Sequence, residues 1–328
     1  MIAVLGAGAW GTALAQMLAS DGSAVTLWAR EAEVVEGVNS ARENRIFLPG
    51  IALAPNIRAT SDLSDLGGAQ LLLGVVPAQH MARVVADLPD RNAPILLCSK
   101  GMEQGSARLM TDVLADAGWA GIIAVLSGPT FAHEVAAGLP GAATLAAPTL
   151  GEAERLAQLV RRATFRPYAS DDPIGAEIGG VVKNVLAIAC GIVDGAQLGQ
   201  NARAALIARG FAEMTRYGLA RGGRIETLSG LAGLGDLVLT CSSTSSRNFS
   251  FGRALAEGVS PAGLLADRRT VAEGALSAGV LAQDARSRGI TMPIVEAVAA
   301  ILDGRASVED AIAALLSRPL AVEGWAAR

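Results

Sequence analysis

Three closely spaced glycines follow the first apolar run of the chain, in the stretch MIAVLGAGAWGTALAQML. Gly6, Gly8 and Gly11 have the spacing G-x-G-x-x-G between a predicted strand and a predicted helix. In such a turn the first glycine permits the bend, the second lets a pyrophosphate approach the backbone, and the third permits close helix–strand packing. The helix N-terminus adds free N–H groups and a dipole that favour an anion. The stretch therefore predicts dinucleotide binding.

The residues that end the second predicted strand bear on the choice between NAD and NADP. NAD enzymes usually place Asp or Glu about 20 residues after the glycines, where it binds the ribose 2′-hydroxyl. Here the strand ends in Leu-Trp-Ala followed by Arg30, a cation suited to a 2′-phosphate. Glu31 comes next and argues in the other direction. The sequence favours NADP, with NAD as the second option.

Three later strands end in residues that could line a site. Pro77 ends one strand in VVPAQ, and Lys100 in CSKGME is a cation that could meet an anionic substrate. In LSGPTF, hydrogen-bond donors are offered by Ser127, Gly128 and Thr130. Ligands of doubly wound sheets bind outside the carboxyl ends of the strands, so these residues predict a site at one edge of the sheet.

Short apolar runs alternate with helical patterns through the first half of the chain. The strand candidates are Ile2–Leu5, Ala24–Trp28, Asn56–Ala59, Gln70–Val75, Ala93–Cys98, Ile122–Leu126, Ala142–Ala146 and Thr164–Tyr168. The early runs are continuous rather than alternating, which is typical of parallel strands covered on both faces. From about Pro173 the strand pattern stops, and helical segments follow at roughly residues 174–198, 202–220, 224–230, 247–257, 260–265, 271–288, 292–302 and 307–317, with a short apolar run at 237–239. We therefore predict an α/β Rossmann-type doubly wound domain over residues 1–172 and an all-α domain over residues 173–328.

The most apolar helical segment, AEIGGVVKNVLAIACGIVDG, contains one lysine, Lys183. Lysine is almost never fully buried without a partner, and desolvation lowers its pKa into a range that suits acid–base chemistry. At helical spacing Lys183 shares a stripe with small residues, which we expect to leave room for a ligand: Gly179, Gly180, Ala187, Cys190 and Gly191. The alternative is a lysine that reaches solvent or pairs with a structural carboxylate.

A second stretch, SGLAGLGDLVLTCSSTSSRNFSFG, places Asp236 after a glycine-rich loop. Asp236 is either a helix N-cap or a carboxylate that faces Lys183. Five hydroxyl residues ending at Ser246 are followed by Arg247 and Asn248. Hydroxyls, a guanidinium and an amide suit a phosphate, which arginine can bind bidentately. The alternative is a helix start with a solvated arginine.

The composition argues against several other classes of protein. A net charge of −4 and 4% aromatic residues do not suit a binder of single-stranded nucleic acid. We find no uncharged apolar run of about 18 residues, so no membrane span is predicted. Met1 leads directly into a strand, so we expect no signal peptide. The two histidines, His80 and His133, do not have the spacing of metal ligands, so no metal site is predicted. The three cysteines, Cys98, Cys190 and Cys241, are far apart in the sequence, which argues against a disulfide framework and favours a reducing cytoplasm.

Taken together, these stretches resemble the family of bacterial NAD(P)-dependent glycerol-3-phosphate dehydrogenases. The resembling pieces run in family order over nearly the whole chain: GAGAWGTALA, NRIFLPG, VVPAQ, SKGME, SGPTFAHEVAAGLP, GGVVKNVLAIACGIVDG, NARAALIARGFAEMTR, GLAGLGDLVLTC, SRNFSFG and MPIVEAV. The resemblance implies a Rossmann domain and a helical domain, and a homodimer. It also implies reversible reduction of dihydroxyacetone phosphate to sn-glycerol 3-phosphate by NADPH or NADH, the entry to glycerophospholipid synthesis.

The resemblance also implies roles for individual residues. Lys183 matches the proton-transfer residue, with Asp236 holding Lys183 or a substrate hydroxyl. The positions that match substrate contacts are Lys100, Gly128, Thr130, Lys183, Asp236, Ser246, Arg247 and Asn248. Besides the three glycines, those that match cofactor contacts are Ala9, Trp10, Arg30, Lys100, Ala132, Arg247, Val271 and Glu273. Two departures stand out: Ala9 replaces a common serine, and TVAEG stands where VVEG is common.

Two other functions fit parts of the sequence. One is a related two-domain dehydrogenase that acts on a hydroxy acid or ketopantoate, against which the phosphate-suited SRN cluster weighs. The other is a non-enzymatic NADPH sensor, which we would expect to have lost Lys183 or Asp236. Competition between substrates would separate the first alternative from the family function.

Overall fold

The computed structural model describes residues 1–266 and 272–319, so Val271 lies outside the described residues. The chain divides into two compact units. The first contains Met1–Ser99 and Met110–Pro173, and the second contains Lys100–Leu109 and Ile174–Arg328. The predicted boundary after residue 172 stays a prediction. No pattern in the sequence indicated that residues 100–109 would pack with the second unit.

The first unit is built on an eight-stranded sheet in the order β3-β2-β1-β4-β5-β6-β7-β8. All neighbouring strands are parallel except β6 and β7, which are antiparallel. The predicted Rossmann-type α/β class is confirmed. The strands are β1 Ile2–Leu5, β2 Val25–Trp28, β3 Ile57–Thr60, β4 Leu71–Gly74, β5 Ile95–Leu97, β6 Ile123–Ser127, β7 Gly141–Ala146 and β8 Phe165–Ser170.

Helices connect these strands and bury their apolar faces on the sheet. They are α1 Ala9–Ala19, α2 Ala32–Glu36, α3 Ala78–Ala86, α4 Met110–Asp116, α5 Ala132–Ala136 and α6 Leu150–Val160, with a π-helical turn at Gly37–Ala41 and a 3-10 turn at Leu63–Leu66. The strand order reverses between β1 and β4, which is where ligands bind in sheets of this kind. The glycine-rich turn lies at this point, because a Cβ on Gly6 would stand 3.0 Å from the backbone nitrogen of Val76.

The second unit is helical throughout its described residues. The helices are α7 Pro173–Gly195, α8 Gly199–Ala220, α9 Ile225–Leu228, α10 Asp236–Cys241, α11 Arg247–Ala256, α12 Pro261–Ala266, α13 Glu273–Ser287, α14 Pro293–Leu302 and α15 Val308–Leu316, and a π-helical turn covers Leu231–Gly235. By length and composition α7 could cross a membrane, but its most apolar 18-residue window is fully buried inside the protein. Apolar residues on all its faces make it the central helix of this core.

The segment Lys100–Leu109 is held in the second unit by burial and by a polar network. Met102 is fully buried in the helical core, beside Tyr217. The hydroxyl of Tyr217 donates to Asp284 Oδ2 at 2.7 Å, and Arg221 Nη1 donates to the same oxygen at 2.9 Å. Arg221 also reaches the carbonyl oxygen of Ala107 at 3.5 Å. This network fixes the end of the segment to α8 and α13.

The small residues of α7 have a different role from the one predicted. A Cβ on Gly191 would stand 2.0 Å from the carbonyl oxygen of Phe249, and one on Gly179 would stand 2.4 Å from that of Ala232. In the opposite direction, a Cβ on Gly252 of α11 would stand 2.0 Å from the carbonyl oxygen of Ile188 in α7. The expectation that this stripe leaves room for a ligand is therefore wrong at these positions, because neighbouring backbone occupies the space.

The glycine-rich turn generates a paired stability prediction. A Cβ on Gly11 would stand 1.8 Å from the carbonyl oxygen of Gly6, whereas nothing lies within 4 Å of one on Gly8. Gly11→Ala should lower the free energy of unfolding by about 1–3 kcal/mol through overpacking, whereas Gly8→Ala should lower it by about 1 kcal/mol or less. Urea unfolding followed by circular dichroism measures both. Equal stability of the two variants would contradict the close contact at Gly11.

Candidate active site

The turn between β1 and α1 forms a backbone cradle. Gly6 has φ +117°, which favours glycine, and α1 begins after Gly8 without a side-chain cap. Open space around Gly8 leaves the first N–H groups of α1 accessible to an anion. The indole nitrogen of Trp10, in the first turn of α1, is buried without a hydrogen-bond partner among the described residues. These features fit the pyrophosphate of a dinucleotide.

Asn44 braces this turn, and the sequence reasoning gave it no role. Its Nδ2 donates to the carbonyl oxygen of Ala7 at 2.9 Å and lies 2.8 Å from Thr12 Oγ1. Thr12 Oγ1 also donates to the Ala7 carbonyl at 3.2 Å. Asn44 is 1% exposed, so its amide acts as an internal strut. Asn44 lies in NRIFLPG, one of the pieces that resemble the family, and this was the signal that could have pointed to it.

Several predicted cofactor contacts in the first unit lie together. Ala9, Trp10 and Ala132 pack against one small apolar cluster formed by Ala13, Leu48 and Ala136. The first turn of α1 and the start of α5 therefore adjoin. Cofactor roles for these residues stay predictions.

Arg30 and its neighbour form an exposed pair beyond β2. Arg30 Nη2 lies 2.7 Å from Glu31 Oε1, and 79% of the arginine side chain is exposed. Surface pairs of this kind contribute little and exchange readily for another anion. The guanidinium is therefore available to a 2′-phosphate, for which Glu31 is an intramolecular competitor.

Gly128 and Thr130 follow β6. A Cβ on Gly128 would stand 2.7 Å from the Cα of Ala143, so close packing of the end of β6 on β7 requires glycine here. Thr130 Oγ1 donates to the carbonyl oxygen of Gly128 at 3.2 Å. These contacts give both residues a structural function, and their substrate roles stay predictions.

In the second unit, one buried carboxylate is shared by two lysines. Asp236 Oδ2 accepts from Lys100 Nζ at 2.6 Å, and its Oδ1 lies 3.0 Å from Lys183 Nζ. Lys183 Nζ also donates to Thr240 Oγ1 at 2.8 Å, and that hydroxyl donates to Asp236 Oδ1 at 3.1 Å. Lys183, Asp236 and Thr240 are all buried, and 14% of the Lys100 side chain is exposed. We call these four residues the lysine cluster.

The short helix α10 places two members of the cluster on one face. Asp236 and Thr240 are four residues apart, the spacing that brings side chains together on an α-helix. The sequence reasoning treated residues 237–239 as an apolar run, and so it missed both α10 and Thr240. The i, i+4 spacing of Asp and Thr was the signal that could have found them.

Burial and charge set the protonation of the cluster. Burial lowers the pKa of Lys183 to about 8; the charge of Asp236 acts against this and that of Lys100 adds to it. Burial alone would raise the pKa of Asp236, but the two ammonium groups outweigh it and hold that pKa below its usual value. The carboxylate is therefore ionised at neutral pH, and Lys183 stays protonated but close to its titration point.

The lysine cluster has free capacity for a ligand. An ammonium group has three N–H donors, and Lys183 uses two of them on Asp236 and Thr240. The third has no acceptor among the described residues. Two cations against one anion also leave an excess positive charge in a buried place. The arrangement can bind an oxygen that carries or develops negative charge, and can give it a proton.

A helix N-terminus lies close to the lysine cluster. Ser246 caps α11 by accepting from the N–H of Phe249 at 3.2 Å, and the earlier N–H groups of the first turn have no intrahelical acceptors because they begin the helix. Arg247 is exposed and makes no ion pair with the described residues. Asn248 is buried and contacts Asn184, the residue after Lys183. Glu273 is the half-buried first residue of α13.

Over residues 1–266 and 272–319, no group of three or more His, Cys, Asp or Glu side chains could hold a metal ion. Two further buried titratable groups of the second unit are Glu213 and Cys241. Buried Glu213 caps α14 by accepting from the N–H of Ile294 at 2.8 Å, and burial raises its pKa to about 7. Cys241, at the end of α10, is fully buried, and burial raises the pKa of its thiol.

Comparison with known families covers both units. Residues 1–153 match the N-terminal part of NAD-dependent glycerol-3-phosphate dehydrogenase, and residues 172–313 match its C-terminal part. A protein of Novosphingobium aromaticivorans called glycerol-3-phosphate dehydrogenase [NAD(P)+] is 62% identical over 324 residues, which is 98% of each chain. One of Erythrobacter litoralis with the same description is 63% identical over 98% of this chain and 97% of its own.

The structural comparison agrees. The crystal structure of glycerol-3-phosphate dehydrogenase from Coxiella burnetii matches with a TM-score of 0.91 and 42% identity, over 97% of this chain and 98% of that one. The glycine-rich turn, the lysine cluster and the capped α11 thus occur in a chain whose two units both match one family. The resemblance inferred from the sequence is confirmed: the chain belongs to the NAD-dependent glycerol-3-phosphate dehydrogenase family.

Proposed function

We propose that the protein reversibly reduces dihydroxyacetone phosphate to sn-glycerol 3-phosphate, with NADPH preferred and NADH as the second donor. The observation that carries this proposal is the lysine cluster, in which Lys183 keeps one N–H free beside a paired carboxylate. Family membership supports the substrate and the reaction. We also propose that the product supplies glycerophospholipid synthesis, and that the enzyme is a cytoplasmic homodimer.

The cofactor is held by the first unit in this proposal. The glycine-rich turn and the N-terminus of α1 bind the pyrophosphate, and Ala9, Trp10 and Ala132 line the same cradle. Arg30 binds the 2′-phosphate of NADPH in exchange for Glu31. When bound, the dihydronicotinamide supplies a hydride to C2 of the ketone. The contacts of Val271 and Glu273 with the cofactor remain predictions from the family.

Lys183 supplies the proton. Its free N–H points to the carbonyl oxygen of the substrate and stabilises negative charge as it develops there. Because burial lowers the pKa of Lys183 to about 8, the ammonium is a stronger acid than an exposed lysine. Asp236 and Thr240 hold Nζ in place through two hydrogen bonds. In the reverse direction neutral Lys183 accepts the proton of the substrate hydroxyl.

The substrate phosphate is held at the start of α11. Free N–H groups of the first turn, the Ser246 hydroxyl as donor and the Arg247 guanidinium provide charge-assisted hydrogen bonds. Lys100, Gly128 and Thr130 remain proposed substrate contacts from the family. Binding energy from the phosphate, which does not react, then orients the reacting carbon. A hydroxy-acid or ketopantoate substrate would leave this anion site unused, which disfavours the alternative dehydrogenases.

The direct test follows NADPH absorbance with purified protein, with and without dihydroxyacetone phosphate, and repeats the measurement with NADH. We expect oxidation that depends on the phosphorylated ketone and is faster with NADPH. Ketopantoate and unphosphorylated dihydroxyacetone are the matched control substrates. Tight cofactor binding without oxidation would contradict the proposed reaction and favour a sensor, whereas equal rates with NADH would contradict only the role of Arg30.

Lys183→Met should remove the proton donor while keeping an unbranched side chain that is one atom shorter. General acid catalysis contributes about 10²–10⁴-fold, and we expect kcat to fall by that factor while NADPH binding is retained. In the parent, ketone reduction should slow as pH rises through about 8, because the ammonium of Lys183 loses its proton there. Alcohol oxidation should speed up over the same interval. Turnover by Lys183→Met at the parent rate would remove Lys183 from the mechanism.

Arg247→Ala should weaken substrate binding rather than the proton transfer. We expect KM for dihydroxyacetone phosphate to rise by about 10- to 100-fold, corresponding to the loss of a charge-assisted hydrogen-bond pair. Steady-state kinetics with each substrate varied in turn measures this. Arg253, on the same helix and paired with Glu257, provides a matched arginine control. A rise confined to the KM of NADPH would reassign Arg247 to the cofactor.

A further inference from the structure

One buried asparagine of the first unit is fully engaged with the turn that begins α1. Asn44 Nδ2 has two N–H donors, which reach the carbonyl oxygen of Ala7 at 2.9 Å and Thr12 Oγ1 at 2.8 Å. Its Oδ1 accepts from the N–H of Phe47 at 3.2 Å. The opposite placement of the amide would set its oxygen against the Ala7 carbonyl and its nitrogen against the Phe47 N–H. The side chain therefore has one orientation that satisfies its neighbours.

These contacts fix the peptide group between Ala7 and Gly8. Its carbonyl oxygen accepts from Asn44 Nδ2 at 2.9 Å and from Thr12 Oγ1 at 3.2 Å, so both of its lone pairs are used. A peptide group is planar and trans, so its N–H points opposite to its carbonyl. The carbonyl is directed to buried side chains, and the Gly8 N–H is therefore directed away from Asn44.

The side of this peptide that faces away from Asn44 is open. Gly8 is exposed, and nothing lies within 4 Å of a Cβ built on it. Among the residues that the structure describes, the Gly8 N–H has no acceptor. Gly8 is also the N-cap of α1, so the peptide leads directly into the free N–H groups of the first turn. Asn44 thus holds one side of the peptide while the other side is available to an anion.

The loop that carries Asn44 is anchored to the first unit by its own contacts. The N–H of Leu48 donates to the Asn44 carbonyl at 2.9 Å, in an isolated antiparallel bridge. Leu48 is 4% exposed and packs in the apolar cluster beside the first turn of α1. Glu43 Oε1 accepts from the N–H of Gly50 at 2.9 Å, which closes the loop. The fold itself therefore positions Asn44 against the turn.

We propose that Asn44 is a positioning residue for the cofactor, which acts through the Ala7–Gly8 peptide to hold the glycine-rich turn ready for the pyrophosphate. A turn that is already oriented binds an anion without first losing conformational freedom. Without the Asn44 amide, only Thr12 would hold the Ala7 carbonyl. The competent orientation would then be less populated, and the apparent Kd would rise in proportion. This inference rests on the proposed function, because it requires that the turn binds NADPH or NADH.

The first test is the binding of NADPH and of NADH to Asn44→Ala, measured by titration of cofactor fluorescence. Both cofactors contain the pyrophosphate, so Kd should rise by the same factor for each, about 5- to 30-fold for the loss of one or two ordinary hydrogen bonds. With NADPH saturating, kcat and KM for dihydroxyacetone phosphate should stay within about twofold of the parent. An unchanged Kd would overturn the proposal. A rise confined to NADPH would also overturn it, because the effect would then lie at the 2′-phosphate.

Thr12 offers a milder pair of variants that tests the same carbonyl contact if Asn44→Ala does not fold. Thr12→Val keeps the shape of the side chain but loses the hydroxyl, whereas Thr12→Ser keeps the hydroxyl. We expect Kd for both cofactors to rise about fivefold in Thr12→Val and to stay within about twofold of the parent in Thr12→Ser. Equal Kd values for the two variants would overturn the proposal, because Asn44 acts on the same carbonyl.

A matched asparagine at the other end of α1 controls for loss of stability. Asn56 Nδ2 donates to the carbonyl oxygens of Ala19, the last residue of α1, and of Ser23. Asn56→Ala should lower Tm, as Asn44→Ala should, but leave Kd for both cofactors at the parent value. An equal rise of Kd in Asn56→Ala would overturn the positioning role, because a general loosening of the unit would then explain it.

The parent protein separates failure of this inference from failure of the proposed function. If the parent binds neither cofactor, the inference falls together with the proposed function. If the parent binds both cofactors but does not reduce dihydroxyacetone phosphate, only the proposed reaction is contradicted. The Kd values of the Asn44 and Asn56 variants then still decide the role of Asn44.

Discussion

The second unit is organised around one buried negative charge that two ammonium groups share. Burying an isolated carboxylate is strongly unfavourable, and removing one partner from a buried ion pair costs about 3–5 kcal/mol. Asp236 is tolerated because Lys100 and Lys183 approach it from different parts of the chain, at 2.6 and 3.0 Å. The same arrangement keeps Lys183 desolvated, which lowers its pKa. The requirement that stabilises the carboxylate thus also gives Lys183 the lowered pKa that the proposed proton transfer needs.

Glycine permits close approach of one backbone segment to another in both units, and for the same reason. Gly11 lies against Gly6, Gly191 lies against Phe249, and Gly274 lies against Asn184, each closer than a side chain would permit. Backbone packed on backbone brings N–H and carbonyl groups within reach of one another and of a ligand. The many glycines of the chain therefore include positions that set helix spacing as well as positions that shape the turn between β1 and α1.

The sequence predicted the strands of the sheet better than the features that depend on packing between distant segments. All the strands of the sheet were anticipated within one or two residues, because most are short apolar runs bounded by turn residues; β3 and β8 also contain polar residues. The sequence left two roles open for Asp236, a helix N-cap or a carboxylate that faces Lys183, and the second is the one observed. Short α10 was missed because a six-residue helix carries too little periodicity, and Thr240 was missed with it. Asn44 and the contacts of Gly191 depend on packing between distant segments, which no local pattern encodes.

Residues 100–109 pack in the second unit although they lie between two elements of the first, and this limits how the units can be exchanged in evolution. The second unit is discontinuous: a piece cut at Ile174 would lack Lys100, and with it one of the two cations on Asp236. It would also lack Met102, which fills part of the helical core. Recombination at residue 173 could exchange the helical part of such a chain only with a donor whose β5–α4 connection fits the new core. The two units can therefore diverge in sequence, but their inheritance is coupled through ten residues that separate two elements of the sheet unit.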